Sequence, residues 1–91
     1  MLLGPARRFA AAAKGWKFVA PLPVRLQREE DGTLFAVDQY FGNYGQGRSW
    51  DEAIEDLTVV LTEYYGVMEA APGASSRAVF DDLRAYLQPV A

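Results

Sequence analysis

The 91-residue chain contains no cysteine and no histidine. The first absence excludes disulfides, thiolate metal sites and thiol nucleophiles, and makes the reducing cytoplasm the expected compartment. The second removes imidazole as general base, proton shuttle or metal ligand. Any catalysis would have to rest on carboxylates, lysine or tyrosine, and an acyl-transfer triad in its usual form has no base. No apolar run approaches the roughly 18 residues of a membrane span. The short apolar stretch 9–13 follows Arg7-Arg8 and is too brief for a secretory signal, so none is expected.

What is present describes a globular chain. Hydrophobic residues make up 51% of it and 12 are aromatic, which excludes disorder for most of its length. The length suits one domain, close to the lower limit for a self-sufficient core, so a homo-oligomer, dimer or tetramer, is expected. Charge is distributed unevenly beneath a net value of −3. Residues 1–28 carry six cations and no acid, whereas 51–91 carry eight acids against Arg77 and Arg84. Such asymmetry fits complementary packing between chain ends or subunits better than a nucleic-acid site, although a basic arm of Arg7, Arg8, Lys14 and Lys17 stays open.

Periodicity divides the chain into elements. Pro5 and the alanine run predict a short N-terminal helix over 6–14, closed by Gly15, with 1–15 a docked or frayed arm. From Trp16 the period becomes two: Trp16, Phe18 and Ala20 alternate until Pro21 and Pro23 interrupt, which suits an edge strand or a break. Val24 and Leu26 then alternate with Arg25, Gln27 and Arg28. Glu29-Glu30-Asp31-Gly32 makes a turn, and 33–40 returns as the second strand of a hairpin. Leu34 and Ala36 lie on one face of that strand and Phe35 and Val37 on the other, so both faces of the sheet are apolar and the second asks for a cover.

Gly42, Gly45 and Gly47 punctuate the next segment. They lack the lysine and the spacing of a phosphate-binding loop, and instead predict a short third strand around 43–46 with glycines at positive φ. Ser49-Trp50-Asp51-Glu52 then matches the capping box, Ser49 accepting from the Glu52 backbone and the Glu52 carboxylate returning to the Ser49 amide; a cap of this kind contributes about 0.5 to 2 kcal/mol. Behind it, Ala53, Ile54, Leu57, Val60, Leu61 and Tyr64 form the apolar stripe of a helix of four turns or more, which Gly66 bends or ends and Pro72-Gly73 stops. Ser75-Ser76 predicts the cap of a last helix within 74–88, with Val79, Phe80, Leu83, Tyr86 and Leu87 on one face and Pro89 as its stop. The fold class expected is α+β: a three-stranded antiparallel sheet packed by one main helix, with a core over 16–71 and short terminal helices.

No catalytic, cofactor or metal site is expected. Asp51, Glu52, Glu55 and Asp56 share helix faces and would suit a hard cation such as magnesium, but the acidic first turns are explained by the positive end of the helix dipole. Asp38, at the end of the hairpin, is the one further carboxylate placed to face them. Paired-carboxylate acid–base chemistry would need a cleft that nothing here builds.

The order hairpin, short strand, then Gly47-Arg48-Ser49-Trp50-Asp51-Glu52-Ala53-Ile54-Glu55-Asp56-Leu57 resembles the HicB-like antitoxin family, over roughly residues 22–68. In that family a glycine, a capping Ser or Thr and a Glu-Ala pair introduce the helix that packs on a three-stranded sheet. The family's Pro-x-Leu-Pro-Gly segment is replaced here by Asp38-Gln39-Tyr40-Phe41-Gly42. Operator-binding members add a C-terminal DNA-binding unit, whereas 72–91 offers one acidic helix, so DNA binding is not expected. The resemblance implies a non-catalytic antitoxin that covers the active surface of a small, basic, RNA-cleaving toxin, with Trp50, Asp51, Glu55 and Asp56 as candidate contacts. The alternatives are an orphan adaptor of the same fold without a toxin, a carboxylate-dependent nuclease, and nucleic-acid binding through the basic arm.

Overall fold

The computed structural model describes Leu2–Leu3 and residues 15–90. It is an α+β fold with two antiparallel sheets and two helices among the described residues, in the order β1 (Leu2–Leu3), β2 (Trp16–Phe18), β3 (Val24–Arg28), β4 (Leu34–Asp38), β5 (Tyr44–Gly47), α1 (Trp50–Ala70), α2 (Ala74–Arg84) and β6 (Leu87–Pro89). The helix expected over 6–14 lies outside the described residues.

The hairpin forms where alternation placed it. β3 pairs β4 in the register Val24 with Asp38 through Arg28 with Leu34. At its turn Gly32 takes φ 90°, and the Thr33 N–H donates to Asp31 Oδ1 at 2.9 Å. That bond from the Thr33 backbone, with its hydroxyl second, holds the Asp31 carboxyl below its ordinary range.

The sheet is wider than the three strands expected. β1 adds to β3 through Leu2 with Arg25 and Leu3 with Val24, giving the order β1-β3-β4-β5. A pairing of two residues with a partner more than twenty positions away leaves no periodic trace in the sequence.

The C-terminal expectation is corrected more substantially. α2 ends at Arg84, and Leu87–Pro89 is a strand that pairs antiparallel with β2, Trp16 opposite Pro89 and Phe18 opposite Leu87. The N–H groups of Ala85 and Tyr86 turn back onto the carbonyls of Asp82 and Leu83, closing the helix before Leu87. Leu83 and Leu87 stand four apart, which satisfies a helical period, yet both are buried from different elements. Ser75-Ser76 does not cap α2 either. Its N-cap is Gly73 at φ 102°, with no side-chain bond, because the chain leaves α1 through Pro72 and needs a left-handed residue to turn.

One core joins these parts. Ala53, Ile54, Leu57 and Leu61 of α1 pack on Leu22, Val24, Leu34 and Ala36, and Leu87 completes the cluster. The buried side of α1 continues through Thr58 and Tyr65, so the stripe is rotated slightly from the expected set and leaves Val60 and Tyr64 half-buried. Thr58 is tolerated inside because its hydroxyl donates to the Glu55 carbonyl at 2.7 Å. α1 runs through Gly66 without stopping, for 21 residues. A second cluster of Tyr65, Phe80 and Leu83 attaches α2, with Trp16 edge-on to Tyr65 at 4.9 Å.

The glycines of β5 have a different cause from the one expected. Neither Gly45 nor Gly47 has positive φ; Gly42, in the preceding loop, does, at 79°. At Gly45 an added Cβ would collide with the backbone of α1 at Leu57 N and the Ala53 carbonyl. At Gly47 it would come within 2.7 Å of Ala53 N. The strand is glycine-rich so that the helix backbone can lie directly on the strand backbone.

Candidate functional site

α1 begins at a formed cap. Ser49 is extended, at φ −132° and ψ 163°, and its Oγ accepts the Glu52 N–H at 3.1 Å. The reciprocal arm differs from expectation: Glu52 Oε1 accepts the N–H of Arg48, at 3.1 Å, one residue upstream of the Ser49 amide. The carboxylate therefore ties down the end of β5 as well as the start of the helix.

The four acids of the first turns separate into two pairs with different roles. Glu52 and Asp56 are bonded to backbone: Asp56 Oδ2 accepts the Gln46 N–H at 2.9 Å, a donor that edge strand β5 would otherwise present to a further strand. Asp51 and Glu55 are exposed, and no hydrogen bond or ion pair engages either side chain among the described residues. Among those residues no group of three or more acidic or other ligating side chains is arranged to hold a metal ion. Among the described residues Asp51 and Glu55 are thus free surface charge, and Glu52 and Asp56 are partly structural.

Trp50 sits between these roles. It is half-buried against the main core, and the Arg28 guanidinium lies 5.6 Å over its ring. One face of the ring is therefore already in contact with a cation.

Two shallow depressions run along the junction of α1 with β5. One, of about 310 Å³, is lined by Gln46, Glu52, Glu55, Asp56 and Val59. The other, of about 360 Å³, is lined by Gly42, Asn43, Tyr44, Gln46, Asp56 and Val60. Gln46 and Asp56 line both, and along this α1–β5 groove Glu55 stands in the same depression as Val59. Tyr44 is 56% exposed and Val59 46%, although both are large apolar side chains. Sequence reasoning missed Tyr44 and Val59 as surface residues, and Val60, expected in the buried stripe, is half-buried. The available signal was Val59, an apolar residue among Asp56, Glu55 and Glu63 on the polar side of the helix.

Asp38 does not join this acidic set. It is 1% exposed, and its carboxylate organises the β4–β5 loop: Oδ1 accepts from the N–H groups of Tyr40 at 2.8 Å and Phe41 at 2.7 Å, and Oδ2 from the N–H and side-chain amide of Asn43 at 3.1 and 3.2 Å. A buried carboxylate with four donors is a satisfied structural group. Among the described residues no helix is long and apolar enough to cross a membrane. Searches against protein-family models, curated proteins and solved structures find no match to this chain.

Proposed function

We propose that this chain is a non-catalytic protein-binding module of the cytoplasm whose α1–β5 groove receives a small basic protein. The observation that carries the reading is the exposed pair Asp51 and Glu55, without a partner among the described residues and in line along α1 with the exposed, apolar Val59. Free carboxylates steer and orient a basic surface, and an adjacent apolar patch supplies the burial that surface charge alone does not.

The mode of contact follows from Asp56. Because it occupies the Gln46 N–H, strand addition at β5 is blunted, and the partner is read by side chains of α1. The motif around the cap makes a HicB-like antitoxin the specific form of this proposal, with an RNA-cleaving toxin as the basic partner. The half-buried Phe35 and Val37, with Phe35 against Tyr44 at 5.7 Å, favour self-association through the opposite face of the sheet.

Co-expression with a small basic protein encoded beside this chain tests the reading. A co-purifying complex and rescue of growth are expected. A neighbour that is neither toxic nor bound removes the antitoxin role and leaves an adaptor of the same fold.

A further inference from the structure

On the far side of Gly42 from the groove, a second cleft is built from parts that the reading above does not use. It is lined by Tyr40, Phe41, Asp82, Ala85 and Tyr86 and has a volume of about 310 Å³, at the small end of the roughly 300 to 1,000 Å³ of small-molecule sites. Three of its five lining residues are aromatic, and they come from two distant segments of the chain.

The rings are arranged around a corner. Tyr40 and Tyr86 have centroids 5.2 Å apart at 57°, Phe41 and Tyr86 6.2 Å apart at 74°, and Tyr40 and Phe41 6.5 Å apart at 85°. None of the pairs is stacked face to face. Rings this close bring three π-systems to one corner, where a positive charge over an open ring face lies within the roughly 6 Å reach of a cation–π contact. The chain uses the same contact internally, with Arg28 over Trp50 and Arg84 over Phe80, both at 5.6 Å.

The fourth wall carries the opposite charge. Asp82 is exposed, and no described cation pairs with it. Among its described lining residues there is no Lys or Arg that would attract an anion, and the Asp82 carboxylate favours a positive group. The walls are also held from below. Asp38 bonds the backbones of Tyr40 and Phe41, the Gly42 N–H donates to the Asp38 carbonyl at 3.2 Å, and the Tyr86 carbonyl accepts from Val19 at 2.8 Å. A site fixed by its backbone loses little freedom when it is filled. Burial, with Tyr40 and Asp82 behind it, pushes the Tyr86 phenol above its ordinary value, so the ring stays neutral at physiological pH.

We propose that Tyr40, Phe41, Tyr86 and Asp82 form a recognition site for an organic cation, a guanidinium or alkylammonium group. The inference does not depend on the α1–β5 groove having a partner.

Titration of isotope-labelled full-length chain, followed by amide and aromatic NMR shifts, tests it with tetramethylammonium, ethylguanidinium and the neutral analogue tert-butanol. Saturable shifts confined to Tyr40, Phe41, Asp82, Ala85 and Tyr86 are expected with the two cations and not with the alcohol. Asp82→Asn, an exposed change whose fold is checked by the remaining amide shifts, weakens the cations by roughly 3- to 10-fold, and Tyr86→Leu does at least as much. An arginine-containing tetrapeptide separates the sources: tighter binding than ethylguanidinium assigns the site to a side chain of a partner protein, and equal binding to a free cation. No saturable shift with either cation, equal shifts with tert-butanol, or affinity unchanged by both substitutions overturns the proposal.

Discussion

Asp56 of α1 accepts the backbone N–H of Gln46 in β5 at 2.9 Å, a side chain reaching across ten residues to cover one donor on an edge strand of the sheet. Edge strands with free donors invite pairing with other chains. Asp56→Ala therefore costs little stability, about 1 to 2 kcal/mol for one charge-assisted bond, and its larger effect is on association. Faster hydrogen exchange at the Gln46 amide and concentration-dependent growth in light scattering are the expected readouts.

Gly45 and Gly66 are the same residue type under opposite constraints. Gly45→Ala pushes a Cβ into the α1 backbone at Leu57 and Ala53; neither element can move without opening the core, so the change costs about 3 kcal/mol. At Gly66 an added Cβ meets nothing within 4 Å, and Ala in a helix interior gains roughly 0.5 to 1 kcal/mol. Urea unfolding of the two variants is expected to shift in opposite directions.

Asp38→Ala removes the acceptor for three backbone N–H groups and one side-chain amide in a part-buried loop. The loss is about 3 kcal/mol, the scale for stranding donors that faced a charge. Because Tyr40 and Phe41 are the residues released, their ring resonances are expected to broaden while those of Trp16, Tyr65 and Phe80 in the second core cluster do not.

Tyr86 gives a pH signature. Its folded-state value lies above the ordinary 10.0 because burial, then Tyr40 and Asp82, disfavour the phenolate. Between the unfolded and folded values the native state keeps a proton that the unfolded state has lost. The contribution is therefore complete below about pH 10 and is lost as pH rises through the folded value. Ultraviolet titration is expected to place the Tyr86 ionisation above 10.0, and Tyr40→Phe to lower it.

Local rules made part of this structure legible. Alternation located β3 and β4, the Asp-Gly pair located their turn, and Ser49 with Glu52 located the start of α1, since each of these is decided within a few residues. What required a distant partner was not readable. The glycines of β5 are set by a helix backbone above them, β6 by pairing with Trp16–Phe18 some seventy residues away, and the division of the acids into bonded Asp56 and free Glu55 by the position of β5. The aromatic corner was illegible for the same reason, because Tyr40 reads as the end of a strand and Tyr86 as part of a helix face until the fold brings them together.

Exposed α1 acids are proposed to contact a basic partner, and calorimetric titration with any small basic protein encoded beside this chain tests that most directly. Wild type is expected to bind with an affinity that falls as salt rises, and Asp51→Lys with Glu55→Lys to weaken it by roughly 10-fold or more while leaving the unfolding transition within about 0.5 kcal/mol, as exposed substitutions do. Binding that the double charge reversal leaves unchanged, or no binding by the wild-type chain, would contradict the account.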